Sequence, residues 1–314
     1  MKTLRIATRG SALALWQANY IRERLAQLHG IESELVRIRT SGDKFQSSSA
    51  AELSEQGVTK GIFIKELEEA LLAGTADLAV HSMKDVPTEN PPGLTFPAIT
   101  KREDVRDCLI SRDGAMLRDL ASGARVGTGS LRRQAQLRHH HPDLESLDLR
   151  GNVDTRLKKV AAGEFDAIVL ATAGINRLGA RDRITEILPP EIMLPAVGQG
   201  ALGIEIRADD RETLKLVGAF DDPDSHAAVT AERALLRELE GGCQVPLGAW
   251  ARLENGELRL QAGVFSVDGK EFVRRELRGP EEKAEDLGVR LGQILIEAGA
   301  DRILRLAGRS VGSS

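Results

Sequence analysis

The chain has 314 residues, 41% hydrophobic and only 3% aromatic, with a formal net charge of -4. That is length for two or three domains with largely aliphatic cores, and the acidic balance gives no global attraction to nucleic acid or an anionic membrane. Two cysteines, Cys108 and Cys243, exclude a disulfide framework and a four-cysteine zinc site, which suits a reducing cytoplasm.

Leu4 to Thr8 predicts a strand, and Ser11 then caps a helix whose apolar positions Leu15, Ala18, Ile21, Leu25 and Leu28 recur at helical spacing until Gly30. Ala12 to Ala18 superficially resembles an export signal, but Gln17, Asn19 and Arg22 interrupt it and none is expected. No uncharged run approaches the roughly 18 residues of a membrane span. A second strand covers Ser33 to Arg39. Thr40 to Lys60, rich in Ser, Gly and charge without an apolar period, has the pattern of a mobile lid. Ile62 to Leu72 is an amphipathic helix ended by Ala73-Gly74, and a buried strand from Ala76 to Val80 follows. Pro87 has no N–H to donate, so that strand has stopped before it. Asp85 therefore lies on a strand exit, where open α/β sheets bind ligands, and is the first catalytic candidate. Its structural alternative is to cap the next turn or pair with Lys84.

A weak internal echo organises the rest. Ala7 to Leu13 is matched by Gly127 to Leu131, each opening a helix after a short apolar run. Ala73-Gly74 with Asp77 to Val80 is matched by Ala162-Gly163 with Asp166 to Val169. The echo predicts two similar α/β lobes, like those of periplasmic binding proteins, around a central cleft. The chain is expected to cross between them at Ile99 to Asp104 and return at Leu194 to Gln199. Domain 1 is thus expected at 1–99 and 200–219, and domain 2 at 100–199. After Pro223 the pattern becomes α+β: a helix from His226 to Leu239, the Gly241-Gly242-Cys243 loop, three strands, and a last helix from Ala284 to Ala298. This is the small C-terminal domain, 220–314.

Between Arg125 and Lys159 six arginines and two lysines face four acidic residues, so the segment is locally basic. Arg138, Lys158 and Lys159 read as a solvated helix face. Arg132 and Arg133 open the helix after Ser130, where backbone N–H groups already favour an anion. Arg150 leaves another strand and Arg156 follows it. Guanidinium forks on ligand-facing loops suit a substrate with several carboxylates. The basic run has no interleaved aromatics, which argues against nucleic acid. His139-His140-His141, followed by Pro142, reads as a solvated loop rather than a metal site. Cys243, on a glycine-rich loop, reads as an attachment site or a surface thiol, while Cys108 reads as strand packing.

Arg9-Gly10-Ser11, His81 to Pro87, Gly127 to Gln134, Leu149 to Leu157, Ala196 to Gly200 and Gly241 to Pro246, in this order, resemble the porphobilinogen deaminase family over nearly the whole chain. The resemblance implies a transferase of heme biosynthesis. It would join four porphobilinogen molecules head to tail with loss of ammonia and release the linear tetrapyrrole hydroxymethylbilane. It also implies a dipyrromethane cofactor held by Cys243 through a thioether. Asp85 and Lys84 would be catalytic. Ser82, Lys84, Asp85, Thr128, Ser130, Arg132, Arg133 and Arg150 would bind the cofactor, and Arg9, Ser11, Arg150, Arg156 and Gln199 the substrate. Gly129 stands where many members have Ser, and Gln56 where Lys is common. No metal, membrane or nucleic-acid partner is expected, and no apolar stripe demands a second subunit, so a monomer is expected. A clamshell of this plan also suits a reversible solute-binding module, which would carry no adduct on Cys243.

Overall fold

A computed structural model describes residues 3–40, 64–239 and 245–311, with side chains described as far as 307. The expected lid from 41 to 60 and Cys243 lie outside the described residues. The strands are β1 (Leu4–Thr8), β2 (Ser33–Arg37), β3 (Leu78–Ser82), β4 (Leu94–Ile99), β5 (Asp107–Ser111), β6 (Arg125–Gly127), β7 (Glu145–Leu147), β8 (Ala167–Ala171), β9 (Glu186–Ile187), β10 (Leu202–Arg207), β11 (Leu247–Glu254), β12 (Glu257–Phe265) and β13 (Phe272–Gly279). The helices are α1 (Ala12–His29), α2 (Lys65–Leu72), α3 (Leu131–His140), α4 (Val153–Ala161), α5 (Thr172–Arg177), α6 (Arg211–Val217), α7 (Pro223–Glu238), α8 (Ala284–Glu297) and α9 (Ala300–Val311). Among the described residues no helix is long and apolar enough to cross a membrane.

Two five-stranded sheets follow one plan. The first runs β2-β1-β3-β10-β4 and the second β7-β6-β8-β5-β9. In each, four strands run the same way and the fourth in the order runs against its neighbours: β10 against β3 and β4, β5 against β8 and β9. These two reversed strands are where the chain arrives after crossing, β5 after residue 104 and β10 after residue 199. The echo in the sequence has a physical cause. In lobe one the Arg5 N–H donates to Asp77 Oδ2 at 2.9 Å and Arg5 Nη2 to the Gly74 carbonyl at 2.7 Å. In lobe two the Arg125 N–H donates to Asp166 Oδ2 at 2.8 Å and Nη2 to the Gly163 carbonyl at 2.9 Å. Gly74 and Gly163 both end a helix with positive φ, 66° and 78°, which a side chain would disfavour.

The local signals place α1 well: Ser11 accepts the Ala14 N–H, and Gly30 closes the helix at φ 64°. Its inner face is shifted from the expected one. Leu28 is 49% exposed and Gln17 is buried, its amide donating to Ser82 Oγ at 2.8 Å. Ile31, beyond the Gly30 turn, joins Ala18, Ile21 and Leu25 in the core instead.

The C-terminal domain is the antiparallel sheet β11-β12-β13, with α7 and α8 packed together and against it. Gly288 permits that packing, because a Cβ there would strike the Ala231 carbonyl. The chain does not end its helical part at Ala298: Gly299, at φ 97°, turns it into α9, whose Ile303 and Ala307 are buried. Arg138 and His139 are also not solvated as expected. Arg138 Nη1 donates to the Val267 carbonyl at 2.6 Å, His139 Nδ1 lies 2.8 Å from the Gly269 carbonyl, and its ring packs on Phe272. The end of α3 is a docking surface for the β12–β13 hairpin.

Candidate functional site

The exit of β3 is a single 3-10 turn, Met83 to Asp85, closed by the Val86 N–H on the Met83 carbonyl at 3.3 Å. Met83 is 2% exposed, its N–H donates to the Ala201 carbonyl, and its side chain fills the space left by Gly203. With Met83 driven inward, the short turn presents Lys84 half-buried and Asp85 exposed. Ser82 just before them accepts the Gln17 amide. Burial lowers the Lys84 pKa to about 8; Arg133 and Arg132 add to the shift, while Asp85 and Asp107 oppose it. Lys84 of lobe one therefore senses charges of lobe two.

The facing wall comes from the loops after β6 and β7. Thr128 is buried with its N–H on the Leu147 carbonyl at 2.9 Å, and its Oγ1 has no hydrogen-bond partner among the described residues. At Gly129 a Cβ would stand 2.7 Å from the Leu149 carbonyl, so glycine is what lets these two loops approach. Ser130 precedes α3 without capping it through its side chain. Arg150 Nε donates to Asp148 at 2.9 Å, and Arg156 Nε to the Gly151 carbonyl at 2.8 Å. Burial, then Arg133 and Arg150, lower the Arg156 pKa to about 10, with Asp148 and Asp85 opposing.

Arg132 and Arg133 do not stand open in the way the sequence pattern implied. Both are buried on Asp107: Arg132 Nη1 donates to Oδ2 at 2.7 Å, and Arg133 Nη2 to Oδ1 at 2.7 Å. Arg132 also donates to the Leu194 carbonyl, and Arg133 to that of Val169 at 3.1 Å. Gln199 Nε2 completes the cluster, donating to Asp107 at 2.9 Å and to the Val105 carbonyl at 2.7 Å. Burial opposes ionisation of Asp107, yet the two guanidiniums outweigh it and hold the carboxyl well below its usual range. A depressed carboxyl contributes stability above its unfolded pKa of about 3.9 and loses it only as pH falls through the lower folded value. Asp107 was missed by sequence reasoning; its signal was an acid opening an otherwise apolar strand.

Arg9 and Ser11 lie after β1, which is parallel to β3, so both strand exits are at the same edge of the sheet. Ser11 spends its Oγ on the helix cap at 3.3 Å, and Arg9 is half-buried. Cys108, buried on β5, has its thiol pushed up to about 12 by burial and is inert packing. A carboxylate-bearing group fits this cleft on two counts: the Thr128 Oγ1, a hydroxyl able to donate that has no partner among the described residues, and a half-buried guanidinium at Arg156 whose cationic form burial disfavours.

Comparison with known proteins agrees with this chemistry. Residues 4–215 match the family described as porphobilinogen deaminase, dipyromethane cofactor binding domain, and residues 226–297 match porphobilinogen deaminase, C-terminal domain. The chain is 49% identical over 305 residues to the porphobilinogen deaminase of Geotalea uraniireducens, covering 97% of this chain and 94% of that one. It is 50% identical over 304 residues to that of Syntrophobacter fumaroxidans, covering 96% and 97%. Among solved structures, an ancestral cationic amino acid solute binding protein aligns with 69% of this chain and 87% of its own, at TM-score 0.42 and 18% identity. A likeness that slight adds nothing to the topology above.

Proposed function

The chain belongs to the porphobilinogen deaminase family, and we propose that its cleft joins four porphobilinogen molecules head to tail with loss of ammonia, water releasing the linear tetrapyrrole hydroxymethylbilane. When bound, a dipyrromethane joined to Cys243 by a thioether supplies the primer that is extended.

Loss of ammonia from the substrate's aminomethyl group leaves a cation whose charge spreads onto the pyrrole nitrogen. Asp85 accepts a hydrogen bond from that N–H and stabilises the charge as it forms; a carboxylate fixed on a short turn does so without reorganising. It also moves protons at that position. Each pyrrole carries an acetate and a propionate. Arg9, Arg150 and Arg156 hold these carboxylates, with Ser11 and Gln199 at their side, while Lys84, Ser82, Thr128, Ser130, Arg132 and Arg133 hold those of the primer. Asp107 cancels one of the two charges of Arg132 and Arg133, so the pair orients an anion without crowding the cleft with cations.

The observation that supports this reading best is the exposed Asp85 carboxylate displayed on the short turn that ends β3. Intact-mass measurement and a steady-state assay test it together. Asp85→Asn keeps the adduct and loses turnover by about 10²- to 10³-fold, the size of a lost charge-stabilising group. Near-normal turnover refutes the role of Asp85. An adduct that persists in Cys243→Ser refutes the attachment.

A further inference from the structure

We infer that Arg233 is a positioning residue for the reaction, holding the turn that displays Asp85. The inference rests on the role proposed above for Asp85. Arg233 lies half-buried on α7, in the C-terminal domain, and its guanidinium reaches into lobe one. Nη1 donates to the Val86 carbonyl at 3.2 Å, and Nη2 to those of Pro87 at 2.6 Å and Thr88 at 3.2 Å. These are the three residues directly after Asp85. Pro87 has no N–H with which this segment could extend a ladder or a helix, and a forked cation suits three successive carbonyls better than a point charge. Val86 is also the residue whose N–H closes the 3-10 turn on Met83. Arg233 therefore holds the closing residue of the turn that displays Asp85.

The preceding helix residue grips the turn from its other side. Glu232 is wholly buried and accepts the Gly198 N–H at 2.7 Å. Gly198, at φ 70°, lies so near the start of the turn that a Cβ there would come within 2.9 Å of Met83 Cβ. Successive helix residues point about 100° apart, so α7 reaches the turn from two directions at once. Glu232 also carries the anchoring of the domain, accepting from Arg102 at 2.7 and 2.9 Å and from the Ala251 N–H at 2.7 Å. The three carbonyl contacts of Arg233 go instead to the single loop behind Asp85. The same helix ends at Glu238, and Cys243 follows five residues later in the chain.

The test compares Arg233→Met, Arg233→Lys and Asp85→Asn as loaded enzymes, with kcat and KM for porphobilinogen normalised to the covalent adduct by intact mass, and with melting curves. Misplacement of about 1 Å can cost about a hundredfold, so Arg233→Met is expected to lower kcat at least about tenfold with KM within about threefold. Arg233→Lys recovers part of the loss. A kcat per loaded Arg233→Met enzyme within about twofold of wild type, or a change in KM alone, overturns the inference. If Arg233→Met yields no loaded protein, Arg233→Lys decides: a lowered kcat at unchanged adduct content supports positioning, and an unchanged kcat overturns it. Normal turnover of Asp85→Asn would instead remove the premise, which separates the two failures.

Discussion

Lobe one and lobe two share a sheet order and an Arg–Asp–Gly clamp, yet they place their charged groups differently. Lobe one ends β3 in a 3-10 turn that exposes Asp85, whereas lobe two runs β8 directly into α5 and carries its guanidiniums at the start of α3, on the loop after β7 and on α4. Their buried charges differ as well. In lobe one Glu205 is paired with His81 at 2.9 Å, and in lobe two Asp107 is paired with two arginines. A repeated scaffold thus divides its charged groups differently between the two lobes.

The deepest test of that division is Asp107. Asp107→Asn leaves two buried guanidiniums facing a neutral amide and is expected to destabilise the fold by about 3–5 kcal/mol, read by denaturant unfolding. A loss below about 1 kcal/mol would mean that the arginines relax toward the cleft without it. The two clamps give a sharper and smaller comparison. Asp77 has 1% of its side chain exposed and Asp166 has 27%. Asp77→Ala is expected to cost about 1–3 kcal/mol, and Asp166→Ala less than about 1 kcal/mol. Equal losses would show that burial does not distinguish the clamps. The smallest effect is a pH dependence. Lys84 binds a carboxylate only when cationic, so kcat/KM should fall as pH rises through about 8. The fall should be up to about tenfold by one unit above that value, since kcat/KM reports the free enzyme. Lys84→Arg should flatten this limb; an unchanged limb assigns it to another group.

Much of the scaffold was legible in the sequence because its rules are local. Ser11 and Gly30 bound α1, Pro87 marks the end of the β3 exit, and the paired Gly-Asp spacings announce the repeated clamp. The motif order named the family, with Asp85 at a strand exit. Where charges would meet was not legible. Arg132 and Arg133 have the residue type and helix-start position of anion ligands, and the carboxylate that pairs with them inside the fold, Asp107, is 25 and 26 residues earlier and reaches them only through sheet packing. The same holds for Gln199, whose amide crosses to Asp107, and for His139, which meets Gly269 of another domain. Leu28 keeps the helical period and is exposed nonetheless, because Ile31 takes the inner place past the turn. By itself the sequence determined many of the elements, several of their caps, the internal repeat and the family, all set by near neighbours along the chain. The tertiary structure decided which charges are spent on the fold and which face the cleft, because a side chain's partner depends on burial and distance between segments far apart in sequence.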